Sequence, residues 1–265
     1  MSPSSALTRN RVVLLVCAAL VAALLAAAAL APLPFSVAHP GATVDVLGED
    51  NGEPVISVSG AEVRTPEGEL RMTTIMATGP DASIRLPDVV RGYFSDEQAV
   101  LPRASVYPVG DTTEEIREHN AEQMTASQNA AVDAALARLE IDGAGLTIDL
   151  RLEDVGGPSA GLLFSLGIID LLEGDGQGGD VTGGRVVAGT GTIDAQGAVG
   201  SVGGVPLKTQ AARRDGAEVF LVPAAECGEA GQNLPDGLTL IPVRTLDDAL
   251  TGLRALESGD AVPSC

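Results

Sequence analysis

The strongest hydrophobic signal along the chain is a run of twenty uncharged residues near the N-terminus, Val12–Ala31. A helix of this length crosses a hydrocarbon core of about 30 Å. Arg9 and Arg11 precede the run, and the first charged residue after it is Asp45. Because positive charge collects at the cytoplasmic end of a spanning helix, we expect the N-terminus in the cytoplasm and the rest of the chain outside the cell membrane.

A cleaved signal peptide is the alternative interpretation of this run. Ala29-Leu30-Ala31 has the small residues of a cleavage site. However, the run is longer than the apolar segment of about 7–15 residues that is usual in signal peptides. Pro32 would also follow the cut directly, where a proline is unfavourable. We therefore favour a retained single-pass anchor.

The pattern after the anchor changes from extended to helical. "EPVISVSGAEV" and "GELRMTTIMATG" alternate apolar and polar residues as strands do, with a turn at "TPEG" between them. Residues 84–110 predict a loop with some helix. Residues 111–140 predict a long helix with Asp111 as its candidate N-cap, either continuous or broken near residues 123–127.

Strand-like and helix-like segments alternate from residue 145 onward. The predicted strands are "GLTIDLRL", "EVFLVP" and "LTLIPV", and "GRVVAGTGTI" with "GAVGSVGG" predicts a hairpin around "DAQG". The predicted helices are "PSAGLLFSLGIIDLLEG", "PLKTQAARRDG", a short one after "EVFLVP", and "TLDDALTGLRALE". This alternation predicts an α/β or α+β domain over about residues 125–257.

The composition and motifs of the chain argue against several classes of function. Acidic residues outnumber basic ones 36 to 16, for a formal charge of −20, so the chain lacks the basic surface that nucleic acid binding needs. The three cysteines and two histidines have neither CxxC nor HExxH spacing, which argues against a zinc site. There is no GxxxxGK[ST] motif, and Asp194 replaces the third glycine of a dinucleotide-binding fingerprint. We expect no cofactor.

Two cysteines lie beyond the predicted membrane segment, Cys227 and the C-terminal Cys265. In an oxidising compartment they would form a disulfide that ties the tail to the domain. Two free thiols are the other interpretation, and the sequence leaves both open.

The chain contains fifteen arginines but a single lysine, Lys208. A buried lysine can lose its proton near neutral pH, whereas an arginine stays charged. A Ser-His-Asp triad lacks a suitable base, because His39 adjoins the membrane run and His119 lies on the polar face of a predicted helix. A serine activated by a desolvated lysine remains, although a solvated surface charge is the simpler interpretation of Lys208.

Ser159 is the serine that best fits such a dyad. It lies in "GGPSAG", where Gly157 lets the backbone bend, and Pro158 and Ala160 flank it at the start of an apolar helix. Free backbone N–H groups and the positive end of a helix stabilise a developing oxyanion.

"GPSAG" followed by "GTGTIDAQGAVGSVGGVPLKTQAARRDGA" resembles the proteolytic domain of Lon-type serine proteases over about residues 145–257. The resemblance implies the α/β (α+β) fold of that domain, with Ser159 as nucleophile, Lys208 as general base and Thr190 as the residue that holds the lysine amine. Gly157, Pro158 and Ala160 would form the oxyanion turn. Gly156 stands where ATP-dependent members often have an acid, and the nearest carboxylates are Glu153 and Asp154.

The N-terminal anchor, "PGATVDVLG" and "MTASQNAAVDAAL" are similar to a bacterial subgroup that joins an anchor, a PDZ domain and a Lon-type domain without an ATPase. Here the helix ending near Leu139 leads through "EIDGAG" into "LTIDL", which leaves no room for the PDZ domain. The expected organisation is a cytoplasmic tail (1–10), an anchor (11–34), a small β-containing extracytoplasmic segment (35–124), a Lon-like domain (125–257) and a C-terminal tail (258–265).

The sequence therefore predicts a membrane-anchored, ATP-independent serine endopeptidase. Its expected partners are the membrane and protein substrates, namely unfolded segments or membrane-protein tails. Because Lon proteolytic domains assemble as rings, the resemblance leaves a homo-oligomer open. The alternative is a catalytically silent scaffold with the same fold, and a third possibility is a dyad that serves self-cleavage alone.

Overall fold

The computed structural model describes residues 3–110, 112–152 and 155–265. Its helices are α1 (Pro3–Leu30), α2 (Leu86–Tyr93), α3 (Arg103–Val106), α4 (Thr113–Leu139), α5 (Gly161–Leu172), α6 (Val205–Arg214), α7 (Cys227–Ala230) and α8 (Leu246–Ser258). Its strands are β1 (Phe35–Asp45), β2 (Glu49–Asp50), β3 (Glu53–Pro54), β4 (Ile56–Ser59), β5 (Glu69–Ala77), β6 (Ala99–Pro102), β7 (Thr147–Leu150), β8 (Val186–Gly189), β9 (Thr192–Ile193), β10 (Val199–Gly200), β11 (Val219–Pro223) and β12 (Thr239–Val243).

Helix α1 contains the predicted membrane segment. Asn10–Leu30 comprises 21 residues with a mean hydropathy of 2.9, and none of it is buried against the rest of the chain. Its length and composition are those of a helix that spans a membrane, which agrees with the predicted anchor.

A six-stranded mixed sheet organises the molecule, in the order β12-β11-β8-β5-β1-β6. The four strands from β12 to β5 run parallel, whereas β1 pairs antiparallel with both β5 and β6. Strands from residues 35–124 thus continue the sheet of the following part of the chain. The predicted boundary between residues 124 and 125 falls inside α4 and does not separate two structural units.

Strand β11 shows how the sheet supports two cores. All five of its residues are buried, as expected of a central strand covered on both faces. Val219 and Leu221 pack into a core with helices α4, α5 and α8, whereas Phe220 and Val222 pack into a second core with α6 and α7. Because strand side chains alternate between faces, one apolar segment holds α5 and α6 on opposite sides of the sheet.

Several sequence predictions need correction in this part of the fold. β6 lies in the stretch predicted as loop and helix. The two segments on either side of "TPEG" contain β4 and β5, which lie in different sheets, since β4 pairs with β7 and β5 lies between β1 and β8. The predicted hairpin around "DAQG" is confirmed, with Ile193 opposite Val199.

Helix α4 is continuous over 27 residues, so the predicted break near residues 123–127 does not occur. Thr112 caps it: its hydroxyl accepts from the N–H of Glu115 at 3.3 Å, and the Glu115 side chain bonds back to the Thr112 N–H. This is a capping box, in which two first-turn donors are satisfied reciprocally. The predicted cap, Asp111, lies outside the described residues.

A disulfide joins Cys227, the first residue of α7, to Cys265, with 5.2 Å between their Cα atoms. Of the two interpretations that the sequence left open, the structure contains the bonded pair. The bond ties residues 258–265 back to the core that includes α6.

Candidate active site

Ser159 lies in the connection that leads into α5. The helix begins at Gly161 with Ala160 as its N-cap, so the serine precedes the helix instead of belonging to it. Gly157 has a φ of +92°, a left-handed conformation that residues with a Cβ rarely adopt. The turn therefore needs glycine at this position to place Pro158 and Ser159 in front of the helix N-terminus.

Helix α4 holds this turn from one side. The Ser127 hydroxyl donates to the carbonyl oxygen of Pro158 at 3.0 Å, and the Gly157 N–H donates to the carbonyl oxygen of Asn120 at 3.2 Å. A Cβ on Gly161 would lie 2.9 Å from the Ser127 hydroxyl oxygen, closer than such atoms approach. Gly161, two residues after Ser159, thus lets α4 and α5 come together beside the serine turn.

Lys208 reaches the site from the opposite side of the sheet. It lies in the second turn of α6, whose N-cap Gly204 has a φ of +70°, and Pro206 occupies the first turn. Proline is favoured there because its missing N–H would have no partner within the helix. The lysine side chain is only 3% exposed.

Thr190 connects the two halves of the site. Its hydroxyl donates to the carbonyl oxygen of Ser159 at 3.3 Å, and the Lys208 Nζ donates to the Thr190 Oγ1 at 3.0 Å. Because a carbonyl oxygen can only accept, the threonine hydrogen is committed to Ser159, and its oxygen is left to accept from the lysine. The Ser159 carbonyl also accepts from the Gly191 N–H at 3.0 Å.

Burial changes the acidity of the lysine. Removal from water disfavours the ammonium form and lowers the pKa of Lys208 from its usual 10.5 to about 8. The negative charges of Glu226 and Glu229 act in the opposite direction and limit this fall in pKa. Glu226 is itself buried, and its Oε2 has no hydrogen-bond partner among the described residues.

Ser159 and Lys208 line one cleft of about 810 Å³. Thr190 is fully buried behind it. Pro158 and Gly156 also line the cleft, whereas Ala160 is buried beneath the turn. The structure therefore brings the predicted serine, lysine and threonine together.

The sequence places His119 on a polar helix face, but the residue is half-buried and lines this cleft. Its Nε2 lies 3.0 Å from the side-chain nitrogen of Gln123, one turn along α4. Asn120 lies on the same stretch of α4 and also lines the cleft. Sequence reasoning missed this contribution of α4, together with Ser127, because helical periodicity alone did not show which side of α4 meets the turn.

Two further expectations concern the acidic residues that precede the serine turn and a metal site. Glu153 and Asp154, the nearest carboxylates along the chain, lie outside the described residues. In the described part of the chain, no three His, Cys, Asp or Glu side chains are arranged to hold a metal ion.

Comparison with known proteins identifies the part of the chain that carries these residues. Residues 154–255 match the Lon protease (S16) C-terminal proteolytic domain. The resemblance inferred from the GPSAG and lysine motifs is thereby confirmed for a Lon-type protease domain. The match includes Ser159, Thr190 and Lys208, but α4 and the strands β1, β5 and β6 precede it.

The Lon protease of Azospirillum brasilense is 37% identical over 97 residues, which make up 36% of this chain. The alignment covers 11% of that protein, so the chain matches about a tenth of the length of this curated relative. In the present chain, the matched residues follow an apolar helix and three strands of the same six-stranded sheet.

Proposed function

We propose that the chain is a membrane-anchored serine endopeptidase that hydrolyses peptide bonds with a Ser159–Lys208 dyad and without ATP. One observation carries the proposal: the chain's single lysine is buried, has a lowered pKa and shares a cleft with Ser159. A solvated lysine would be protonated at neutral pH, whereas with a pKa of about 8 roughly a tenth of Lys208 is the free base at pH 7.

In the proposed reaction, the Ser159 Oγ attacks the carbonyl carbon of the scissile peptide bond while Lys208 accepts the hydroxyl proton. The C–N bond then breaks, and the lysine returns this proton to the leaving amine. Thr190 orients the lysine, because its oxygen accepts one amine hydrogen and leaves the nitrogen lone pair for the serine. Water completes the cycle by hydrolysing the acyl-enzyme, again with Lys208 as the base.

Within Gly157–Ala160, the N–H groups of Ser159 and Ala160 would stabilise the oxyanion of the tetrahedral intermediate, because Pro158 has no N–H and the Gly157 N–H already donates to Asn120. Support comes from the position of this turn, directly before the N-terminus of the twelve-residue helix α5. The first N–H groups of a helix lack intrahelical partners, and its dipole favours negative charge at this end.

The setting of the domain suggests its substrates. We assign α1 the role of an anchor with a cytoplasmic N-terminus, which places the cleft outside the cell membrane. The proposed independence from ATP is supported by the lack of a P-loop motif in the sequence, and a peptidase that acts without ATP would cleave unfolded segments or membrane-protein tails. Assembly into a homo-oligomer belongs to the same proposal, by analogy with Lon proteolytic rings.

Proteolysis of casein by the full chain in detergent, without ATP, tests the proposal. Wild type is expected to cleave it, whereas Ser159→Ala and Lys208→Met are expected to be inactive. Lys208→Arg keeps the positive charge but supplies no base, so it is expected to be inactive as well. Ser201→Ala, which removes a different cleft serine, is the matched control and should retain activity. Binding of casein without cleavage by wild type would instead support the scaffold function.

A further inference from the structure

Helix α2 carries an unusual stripe of exposed apolar side chains. Leu86 is 43% exposed, Val90 47%, Tyr93 79% and Phe94, the C-cap, 81%. The spacing of these residues, i, i+4, i+7 and i+8, places them on one face of a helix. Isolated exposed apolar residues are normal on protein surfaces, but a contiguous row is typical of an interaction surface.

The opposite face of α2 already packs against the protein. Gly92 is the buried residue of the helix, and a Cβ at that position would lie 2.7 Å from the Val100 Cγ2 on β6. The helix therefore has apolar residues on both sides. One side closes the edge of the sheet, and the side with Leu86, Val90, Tyr93 and Phe94 is exposed.

The position of α2 relative to the apolar helix suggests what covers this face. The Leu33 N–H, three residues after the end of α1, donates to the carbonyl oxygen of Ile84 at 2.8 Å. Ile84 lies two residues before α2, and α1 and α2 are in contact. The chain thus leaves α1 directly beside α2, at the level where a spanning helix emerges from a bilayer.

The residue types on this face fit the membrane surface. The chain has no tryptophan, two tyrosines and four phenylalanines, yet Tyr93 and Phe94 lie side by side here with ring centroids 5.3 Å apart. Aromatic side chains concentrate where headgroups meet acyl chains. Arg85 and Arg91 are exposed at either end of the helix in a chain of net charge −20, although Asp88 lies 3.7 Å from Arg91.

We propose that α2 is an interfacial helix whose Leu86–Val90–Tyr93–Phe94 face inserts into the headgroup region of the outer leaflet. Such helices bury their apolar face about 5–10 Å below the surface. The inference rests on the proposed anchoring by α1. Together the two helices attach the catalytic domain at two points, which fixes its orientation on the membrane instead of letting it swing on residues 31–34.

Tryptophan fluorescence tests this directly, because the natural chain contains none. The full chain with Phe94→Trp is reconstituted in phosphatidylcholine–phosphatidylglycerol vesicles, with lipids brominated either near the headgroup or deep in the acyl chain. We expect a blue-shifted emission and loss of most of the intensity with the headgroup-proximal bromine, and a smaller loss with the deep bromine.

Two further variants make the result decisive. Leu20→Trp, at the middle of the apolar segment, should be quenched most by the deep bromine if α1 spans the bilayer. Leu234→Trp is the control. Leu234 is exposed and precedes β12, the edge strand of the sheet that lies opposite β6. At the usual strand spacing the two edges are about 24 Å apart, so this tryptophan should not be quenched.

The outcomes separate the inference from the proposal on which it rests. If Leu20→Trp is quenched but Phe94→Trp is as little quenched as Leu234→Trp, the interfacial helix is overturned and the anchor is left intact. Absence of quenching in both Leu20→Trp and Phe94→Trp would remove the anchor itself. A blue shift of Phe94→Trp without quenching by either lipid would mean that protein, such as a second copy of the chain, covers α2, and would also overturn the inference.

Discussion

The Nζ of Lys208 donates a 3.0 Å hydrogen bond to the Oγ1 of Thr190, whose hydroxyl in turn donates to the backbone carbonyl of Ser159. The lysine and the threonine are both buried; Thr190 precedes the hairpin that β9 and β10 form, and Lys208 lies in α6, which follows it. These two hydrogen bonds fix the position of the Lys208 amine relative to Ser159 without using the serine hydroxyl.

Activity should rise with pH around the pKa of Lys208. Only the free base accepts the Ser159 proton, so kcat/KM is expected to increase to a plateau with a midpoint near pH 8. Glu226→Gln removes a negative charge that raises this pKa, so its midpoint should be lower than that of wild type. Glu257→Gln on α8 is the control. A profile unchanged by Glu226→Gln would show that Glu226 does not act on the lysine.

Thr190→Val should lower kcat/KM by about 10- to 100-fold, since leaving a buried donor without a partner costs about 1–3 kcal/mol. The lost hydrogen bond also favoured the ammonium form, so the pH midpoint should fall. Thr190→Ser keeps the hydroxyl and should restore both values. A variant that loses thermal stability while keeping the wild-type pH midpoint would indicate a structural role only.

Lys208→Met should make the folded protein more stable at neutral pH. A pKa lowered from 10.5 to about 8 means that the unfolded state binds the proton more tightly, which costs folding about 3 kcal/mol at pH values below 8. The cost disappears as pH rises from 8 to 10.5, because the folded lysine is then already neutral. Thermal unfolding at pH 7 and pH 10.5 measures this. If the stability difference between variant and wild type is the same at both pH values, this result would contradict a buried, desolvated amine.

Ser127→Ala tests the contact between α4 and the serine turn. Loss of the bond to the Pro158 carbonyl is expected to lower the free energy of unfolding by about 1 kcal/mol and to reduce kcat more than it changes KM. Ser165→Ala is the matched control. The Ser165 hydroxyl also joins α4 to α5, through the carbonyls of Ala131 and Gly161, so its loss should cost similar stability while the bond to the Pro158 carbonyl stays in place. Equal losses of kcat in both variants would count against a specific role for Ser127.

The sequence predicted the parts of the fold whose signals are local. The motifs around Ser159 and Lys208 include the glycines and prolines that shape each turn, so the residues that meet there could be named in advance. The apolar helix α1 and the strand–helix alternation after residue 145 could be predicted equally well, because both depend on hydrophobic spacing.

The missed features depend on pairing across long distances. Nothing in the composition of Ala99–Pro102 shows that it extends the sheet beside β1, and its four residues are too few for a periodic pattern. The alternation along β5 predicted a strand but not its insertion between β1 and β8, which unites residues 35–124 with the Lon-type domain. The position of Ser127 under the turn likewise depends on how α4 packs on α5.

Trapping of the acyl-enzyme tests the central claim most directly. The full chain is mixed in excess with a peptide p-nitrophenyl ester, quenched in acid after a fraction of a turnover, and analysed by intact-mass and peptide-mapping mass spectrometry. The account predicts one added acyl group on Ser159 in wild type and in Ser201→Ala, and none in Ser159→Ala or Lys208→Met. An acyl group on another residue, or turnover that persists in Ser159→Ala, would contradict it.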